Sequence, residues 1–441
     1  MKTFKIGGIH PEENKLAKEE AIEVFPIPKQ VTLFVTQHLG APSTPIVQAG
    51  DKVKVGQLVA TAQTLVCANL HSPVSGTVVK VEPVPDMTGY RKLAITIDVE
   101  DDIWEETIDT TSEIRKEITL TKPEIIERIK ACGVVGLGGA CFPTHVKYMI
   151  PPDKKVDYII INGAECEPYI TTDHRIMLEN GEECLIGVQA LLIASGAPEA
   201  RIGIEANKPD AFEHLQRLAS QYPNIKVFKL KTKYPQGAEK QLIKSLTGRE
   251  VPNGKLPIEV GCIVNNITTT YAIYEAVQKN KPLIETYTTI SGKRAKTLKN
   301  YKIRLGTSIS EVLSTVGIPE NTGKIVSGGP MMGKAIANIN SYFVKGMSSL
   351  LFIDESESKR GVVEECIRCG KCVTACPMGL EPYLLYALAT RADYEECEKH
   401  GIMNCIECGS CQYGCPAFRP LLDMIRVGKN KTGYMIRTRN K

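Results

Sequence analysis

The sequence has no apolar run long enough to cross a bilayer, which takes about 20 predominantly apolar residues. Its best candidate, from Cys184 to Ala194, is about half that length and predicts a buried helix instead. The opening stretch MKTFKIGGIHPEENK also lacks the apolar core and the small-residue cleavage site of a secretory signal. These absences predict a cytoplasmic chain, with peripheral attachment to a membrane left open.

A strong charge imbalance is missing as well. The net charge of +4 over 441 residues is too small to indicate a nucleic-acid partner. Hydrophobic residues make up 43% and charged residues 24%, which is typical of a soluble globular protein rather than a disordered one. The length exceeds what one hydrophobic core supports, so it predicts about three or more domains.

The 15 cysteines do not form a disulfide pattern. Eight of them fall in two short runs near the C-terminus, and the other seven are scattered and odd in number. This distribution predicts reduced thiols and metal ligation in a reducing compartment.

The apolar pattern predicts a multidomain α/β plus β architecture. From Val31 to Glu100, short Val/Ile stretches are broken by Gly and Pro, which is typical of a small all-β domain. The stretches GDKVKVGQLVA and SPVSGTVVKV resemble the barrel-sandwich fold of biotinyl and lipoyl carriers. Those carriers bear a modified lysine in the intervening hairpin, whereas the region from Leu65 to Cys67 has none. We therefore expect a structural role instead of a swinging arm.

Between residues 119 and 278, helical and strand patterns alternate. The stretch TKPEIIERIKACG has apolar residues at helical spacing and ends at Gly133. The strand-like stretches DYIIINGAE, RIGIEANK and IKVFKL follow, with amphipathic or apolar helices between them. Alternation of this kind predicts a parallel sheet with both faces covered.

The predicted boundaries are an N-terminal segment (1–30), a barrel-sandwich domain (31–100), an α/β domain (101–283), a compact α+β domain (284–354), a cluster domain (355–426) and a basic tail (427–441). The C-terminal end carries six basic residues and no acidic residue after Asp423. They are Arg426, Lys429, Lys431, Arg437, Arg439 and Lys441. We expect a solvated, disordered tail, with a docking patch for anionic lipid or an acidic partner as the alternative.

Two cysteine runs, CIRCGKCVTACP and CIECGSCQYGCP, have the spacing of bacterial two-cluster ferredoxins. In that pattern each run supplies three ligands to one [4Fe-4S] cluster and its fourth cysteine to the other. The predicted ligands are Cys366, Cys369, Cys372 and Cys415 for cluster 1, and Cys405, Cys408, Cys411 and Cys376 for cluster 2. Zinc is the alternative because CxxC pairs also bind it, but a duplicated CxxCxxCxxxCP is far more specific. Cys397 fits neither run and is expected to be a spare thiol.

Four further segments have a definite order along the chain. They are GVVGLGGACFPTHVK at 133–147, NGAECEP at 162–168, YPQGAEKQL at 234–242 and NNITTT at 265–270. In this order they resemble the flavin and NADH site of the respiratory complex I flavoprotein subunit. With the opening FKIGGIHPEENK, the QHLGAP segment and the cluster pair, the chain resembles the RnfC family, from the Rnf electron transport complex, over almost its whole length.

The resemblance implies FMN and NADH binding in the 101–283 domain and a β-grasp domain of the SLBB type in 284–354. It assigns the FMN phosphate to Gly138, Gly139 and Lys147, and the flavin and nicotinamide approach to Asn162, Glu165 and Glu167. It places Tyr234, Gly237 and Glu239 around the dinucleotide, and Asn265 and Asn266 near the flavin phosphate and ribityl chain. The alternative for Glu165 and Glu167 is a solvated turn, and for Lys147 a surface charge.

Three positions depart from the family pattern. Cys141 replaces a glycine, Cys166 lies inside the acidic turn, and Thr268 replaces the glutamate of NNVET. They put dinucleotide affinity and nicotinamide preference in doubt more than flavin binding.

NADH gives up two electrons at once and clusters accept one at a time, so a flavin is needed between them. The hydride passes directly to the flavin, and no side chain needs to act as a catalytic base. The resemblance implies a peripheral NADH-oxidising subunit at the cytoplasmic side of the membrane. Its partners would be other Rnf subunits, including membrane-spanning ones, and indirectly ferredoxin, with Na⁺ or H⁺ translocation. The alternatives are a soluble cobalamin reductase of the microcompartment type and an electron-wire subunit without flavin.

Overall fold

The N-terminal segment is packed along the molecule. The computed structural model describes residues 1–439. Lys2 forms a parallel bridge with Leu230, and Ile9 forms an antiparallel bridge with Tyr234. Strand β1 (Ile22–Val24) then joins a sheet built mainly from residues after 284. Residues 1–30 thus connect parts of the chain that are far apart in sequence.

Two small antiparallel sheets form the next unit. One sheet has the order β2-β8-β7-β4 and the other β3-β5-β6. Alternate residues point inward, so Val31, Leu33, Ile95 and Ile97 form a core with Leu305 from the later α+β unit. The strands are β2 (Gln30–Phe34), β3 (Thr44–Pro45), β4 (Lys52–Val53), β5 (Leu58–Thr61), β6 (Leu70–His71), β7 (Ser75–Pro85) and β8 (Arg91–Asp101).

The α/β unit contains a four-stranded parallel sheet in the order β11-β10-β9-β12, as the alternating pattern predicted. Its elements are α1 (Lys122–Ala131), α2 (Thr144–Lys147), β9 (Tyr158–Gly163), α3 (Thr172–Glu179), α4 (Gly181–Ser195), β10 (Glu199–Glu205), α5 (Pro209–Ala219), β11 (Ile225–Leu230), α6 (Glu239–Thr247), β12 (Cys262–Asn266) and α7 (Ile267–Lys279). The loops after β9 and β11 carry the predicted acidic turn and the YPQGAE segment, and the asparagine pair ends β12. Because carboxyl ends of parallel strands share one edge, the sheet brings these segments together.

Helix α4 contains the longest apolar run and is buried along most of its length, as predicted. It crosses α7 so closely that a Cβ at Gly187 would lie 1.9 Å from the carbonyl oxygen of Thr270. Within residues 1–439, no helix is both long enough and apolar enough to span a membrane.

The α+β unit is a mixed sheet in the order β1-β14-β13-β17-β15-β16 with one covering helix. Its apolar core includes Ile290, Ile303, Leu313 and Phe343, and Phe25 from the N-terminal segment packs edge-on against Tyr301. The elements are β13 (Glu285–Ser291), β14 (Lys299–Arg304), α8 (Ile309–Val316), β15 (Thr322–Ser327), β16 (Lys334–Ala335) and β17 (Ser349–Asp354).

The C-terminal unit is helical and holds both cysteine runs. Its helices are α9 (Glu355–Ser358), α10 (Lys371–Ala375), α11 (Pro382–Thr390), α12 (Tyr394–Lys399), α13 (Ser410–Tyr413) and α14 (Leu421–Arg439). The short helices α10 and α13, one from each run, pack against each other. Cys397 is fully buried in the apolar core of this unit.

The predicted disordered tail is wrong as far as residue 439. Helix α14 runs across the predicted boundary at 426, because Ile425, Gly428 and Thr432 form one buried face. A Cβ at Gly428 would lie 2.7 Å from the Cβ of Ala389 on α11, so the glycine allows the close approach. Lys429, counted among the free basic charges, donates to the carbonyl oxygen of Cys405 at 2.7 Å. Lys441 lies outside the described residues.

Candidate functional site

One set of four cysteines lines a single cavity in the C-terminal unit. They are Cys376, Cys405, Cys408 and Cys411, and the rest of the lining is mostly apolar, including Leu385 and Ile425. Burial raises the pKa of the Cys411 thiol, and the neighbouring thiols of the other three raise it further. This is the set that crossed ligation predicts for cluster 2, with Cys376 contributed by the first run.

The second set is nearer to solvent. Cys366 and Cys369 are exposed, and Cys372 and Cys415 are half-buried. Burial raises the pKa of Cys372, and the nearby Cys415 thiol also raises it, so the first run and the end of the second meet here too. Among residues 1–439, no three His, Cys, Asp or Glu side chains converge closely enough to hold a single metal ion. A four-iron cluster spaces its thiolates more widely, since each iron takes one cysteine.

The glycine-rich loop lies against the start of α7. The amide of Leu137 donates to the Thr269 hydroxyl at 2.9 Å. A Cβ at Gly138 would approach the Cβ of Asn266 to 3.0 Å, whereas Gly139, at φ +117°, has nothing within 4 Å of its Cβ position. The loop thus presents bare backbone beside open space, as a phosphate-binding loop requires. Cys141 adopts φ +50°, which explains why a glycine suits this position.

The two asparagines at the end of β12 have different partners. Asn265 donates to the Tyr148 hydroxyl at 2.6 Å. Asn266 caps α7 by accepting from the Thr269 amide, and it donates to Asp173 at 2.7 Å. Both asparagines are buried, so these contacts fix their orientation at the rim of the glycine loop.

Sequence reasoning missed Asp173. Thr268, at the position where the family pattern has glutamate, donates its hydroxyl to Asp173 at 2.7 Å. A carboxylate is therefore present at this place, but the first turn of α3 supplies it. The sequence signal that could have indicated it is the absence of the family's glutamate at position 268. Burial raises the pKa of Asp173.

Lys147 is half-buried at the end of α2 and donates to the Val264 carbonyl oxygen on β12 at 2.7 Å. Burial lowers its pKa, and the carboxylate of Glu239 at the start of α6 opposes that shift. The side chain is therefore held against β12 and near the start of α6, so Lys147 is not a solvated surface lysine.

The acidic turn after β9 is hydrogen-bonded to neighbouring segments. Asn162 donates to the carbonyl oxygen of Gly237 at 2.9 Å, and the Cys166 sulfur accepts from the Gly237 amide at 3.3 Å. Glu165 is buried and accepts from the Asp173 amide at 2.6 Å. Burial raises the pKa of Glu165 to about 7. These contacts join the turn to the YPQGAE segment and show that Glu165 is not in a solvated turn.

A buried lysine from the N-terminal segment, Lys15, was not predicted. Its ammonium group donates to the carbonyl oxygens of Glu165, Glu167 and Ile170 at 2.6 to 2.9 Å. It lies 3.7 Å from a carboxylate oxygen of Glu165. The opening HPEENK stretch indicated family membership from sequence, but its contact with the acidic turn needed the fold.

A cavity of 170 Å³ lies between this segment and the ends of β9, β10 and β11. Its lining includes His10, Lys15, Glu205 and Tyr234. Glu205 is 1% exposed, and burial raises its pKa to about 7. Polar groups thus surround the carboxyl edge of the sheet on this side as well.

The α/β unit touches the cluster 2 cysteines directly. The buried Tyr234 hydroxyl donates to the carbonyl oxygen of Cys408 at 2.7 Å, and Gln241 donates to that of Pro377 at 3.1 Å. From the N-terminal segment, the amide of Gly8 donates to the carbonyl oxygen of Ala375 at 2.9 Å. Tyr234 was predicted beside the dinucleotide, but its hydroxyl lies at the junction with the cluster unit.

The fold and the two sites define an iron–sulfur flavoprotein. A family model described as the Nuo51 FMN-binding domain matches residues 129–275, and one described as a 4Fe-4S dicluster domain matches 360–416. A third, the RnfC barrel sandwich hybrid domain, matches 2–102. The predicted barrel-sandwich, flavin-binding and two-cluster units are confirmed, together with FMN and [4Fe-4S] clusters as the cofactors.

Three relatives are similar over most of their length. The C-subunit of the proton-translocating ferredoxin:NAD(+) oxidoreductase complex of Clostridium ljungdahlii is 44% identical, and the match covers 90% of this chain and 87% of that protein. The C-subunit of the Na(+)-translocating complex of Acetobacterium woodii is 40% identical, over 97% of both. The C-subunit of the ion-translocating oxidoreductase complex of Rhodobacter capsulatus is 40% identical, over 98% and 84%. The chain belongs to the RnfC family, as the sequence motifs indicated.

Among solved structures, the chain is similar to a chain of an NAD⁺-reducing [NiFe]-hydrogenase in its H₂-reduced state. The TM-score is 0.50 at 17% identity, over 70% of this chain and 63% of that one. At this identity the likeness shows the fold alone.

Proposed function

We propose that this chain is the peripheral NADH-oxidising subunit of an Rnf-type complex. It would pass electrons between NADH, FMN and two [4Fe-4S] clusters in ferredoxin:NAD⁺ oxidoreduction coupled to Na⁺ or H⁺ translocation. The observation that carries the proposal is the hydrogen bond from Tyr234, in the YPQGAE segment, to the Cys408 carbonyl oxygen. It joins the predicted flavin site directly to the cavity lined by Cys376, Cys405, Cys408 and Cys411.

Bound FMN would accept the two electrons of a hydride and release them one at a time. The chain's part is to hold and orient it. Gly138 and Gly139 offer backbone to the phosphate, and Lys147 supplies a charge that its bond to Val264 keeps in place. The residues proposed to line the flavin and dinucleotide are Asn162, Glu165, Tyr234, Gly237, Glu239, Asn265 and Asn266. Glu167 faces the turn between β15 and β16, so we do not assign it to the flavin.

For the clusters we propose the crossed sets. Cys366, Cys369, Cys372 and Cys415 hold cluster 1, and Cys405, Cys408, Cys411 and Cys376 hold cluster 2. The buried set lies against the flavin unit and the exposed set faces solvent. We therefore infer that electrons pass between flavin and cluster 2, and between cluster 1 and a partner.

We propose the predicted domain boundaries, with the cluster unit extended through α14. The unit of 284–354 is proposed as an SLBB domain, supported by its α+β sheet. We place the chain at the cytoplasmic face of the membrane, bound to membrane-spanning Rnf subunits. The support is the relatives' description as subunits of ion-translocating complexes.

Anaerobic purification with its complex, followed by flavin and iron assays, tests this function. We expect one FMN and about eight irons per chain, with the flavin band bleached by NADH. Lys147→Met removes a charged hydrogen bond to the phosphate and should weaken FMN binding roughly 10- to 100-fold. Lys155→Met, at a lysine whose side chain is 86% exposed, is the matched control.

Two results would contradict the proposal. Eight irons without flavin or bleaching would leave an electron-wire subunit. A flavin- and iron-loaded chain that never co-purifies with membrane subunits would favour a soluble reductase of the cobalamin type.

A further inference from the structure

Glu167 uses both of its carboxylate oxygens on a different domain. One oxygen accepts from the amide of Met331 at 3.0 Å and the other from the amide of Met332 at 2.8 Å. Both amides belong to the turn between β15 and β16, in the α+β unit. A carboxylate bound by two consecutive amides has a fixed orientation.

The turn is shaped for this approach. A Cβ at Gly329 would lie 2.1 Å from a carboxylate oxygen of Glu167, so any side chain at this position would push the two apart. A Cβ at Gly333 would lie 2.4 Å from the Gly329 carbonyl oxygen. The sequence GGPMMG thus provides backbone-only contact with the acidic turn.

Apolar packing reinforces the same contact. Tyr169, two residues after Glu167, is buried with Val326 on β15 and Leu351 on β17. The hydroxyl of Thr289 on β13 accepts from the Thr171 amide at 3.0 Å. The acidic turn is therefore attached to the α+β unit at Glu167 and again at Tyr169 and Thr171, which follow it.

The turn also touches the cluster 2 motif. A Cβ at Gly409, between the ligands Cys408 and Cys411, would lie 3.2 Å from the Met331 carbonyl oxygen and 3.7 Å from the end of its side chain. Cys408 is also held from the flavin side by Tyr234. The cluster 2 motif therefore contacts both the flavin unit and the turn that Glu167 binds.

We propose that Glu167 is a positioning residue that sets the placement of cluster 2 relative to the flavin. It binds the β15–β16 turn, the turn contacts the Cys408–Cys411 segment at Gly409, and Tyr234 holds the same segment at the Cys408 carbonyl oxygen. This role rests on the proposed function, and it replaces the predicted contact of Glu167 with the nicotinamide. The hydride donor then meets other residues, and Glu167 affects the later transfer from flavin to cluster.

The test uses the full-length, cofactor-loaded chain with Glu167→Gln and Gly329→Ala. Glutamine places an NH2 donor where one carboxylate oxygen accepted, so one of the two amides faces a donor and loses its hydrogen bond. The alanine methyl of the second variant pushes Glu167 away from the turn. Hydrogen exchange at Met331 and Met332 should rise about tenfold in either variant, the effect of losing one charged hydrogen bond. After mixing with NADH, the rate of flavin bleaching and the KM for NADH should be unchanged, while the reduction of cluster 2 should become slower.

Both changes break the same contact between Glu167 and the turn. The double variant should therefore show no faster hydrogen exchange and no slower cluster reduction than the single variants. Glu113→Gln, at an exposed glutamate, is the control. A raised KM for NADH with unchanged exchange and unchanged cluster reduction would overturn the proposal and make Glu167 a nicotinamide contact. Absence of bleaching in the unaltered chain would contradict the proposed function, whereas unchanged exchange in both variants would contradict the positioning role alone. Iron and flavin contents show whether each variant has folded.

Discussion

The two cluster sites come from nearly the same twelve-residue motif but have different surroundings. Around cluster 2, Cys376, Cys408 and Cys411 are each less than 10% exposed. The α/β unit, the N-terminal segment and the β15–β16 turn all contact the residues that carry these cysteines. Around cluster 1, Cys366 and Cys369 are exposed, and Ile367 between them is 69% exposed. The motif determines which atoms bind iron, and the tertiary contacts determine which cluster faces inward.

The largest effect that tests this contrast is expected from Cys376→Ser. This cysteine belongs to the first run but lines the cavity of the second, so its loss should remove or convert cluster 2 and leave cluster 1. Iron analysis together with electron paramagnetic resonance of the reduced chain distinguishes the two clusters. Loss of the cluster 1 signal with cluster 2 intact would refute crossed ligation.

Chelation should separate the clusters in time. Because cluster 1 lies at the surface, an iron chelator should first remove about half of the iron, and cluster 2 should follow only with local unfolding. Timed iron release under anaerobic conditions measures this. Release of all the iron in a single phase would show that exposure does not distinguish the sites.

The pH dependence of stability should come from the buried carboxyl groups of the α/β unit instead of the exposed carboxylates beside cluster 1. Burial raises the pKa of Glu205 from 4.5 to about 7, so the folded state keeps a proton that the unfolded state has lost. Stability should therefore fall as pH rises from about 4.5 to 7, by up to about 1.4 kcal/mol per pH unit. Glu205→Gln should reduce the change in the urea unfolding midpoint between pH 5 and 8, and the buried Glu165, whose pKa burial also raises to about 7, should contribute to the change that remains. Glu365→Gln, at an exposed residue beside Cys366, should not change that slope.

The smallest expected effect is that of Tyr234→Phe. This change removes the hydrogen bond to the Cys408 carbonyl oxygen and should lower the free energy of unfolding by about 1 kcal/mol. A small shift in the reduction potential of cluster 2, with cluster 1 unchanged, would confirm that this contact acts locally. Equal shifts in both potentials would contradict it.

The sequence predicted most of the units because their signals are local. Apolar periodicity identified α1, α4 and the parallel sheet, and cysteine spacing identified the two cluster runs. The tail was misjudged because its charges dominate the composition, whereas Ile425, Gly428 and Thr432 form the buried face that matters.

The missed parts of the site depend on contacts across long sequence distances. Asp173 meets Asn266 and Thr268, and Lys15 meets the carbonyls after β9, only once the sheet is assembled. The family resemblance assigned Glu167 to the flavin and nicotinamide approach. Its actual partners are amides more than 160 residues further along the chain.

Strand β1 has a consequence for the order of events during synthesis. Ile22 pairs with Asn300, so roughly 280 residues must be added before the strand has a partner. At 5 to 20 residues per second, the strand waits roughly 14 to 56 s for its partner. Throughout that interval the nascent chain exposes Phe25, which is buried in the finished protein. The ribosome-bound intermediate therefore has an unpaired edge and an apolar side chain available to chaperones.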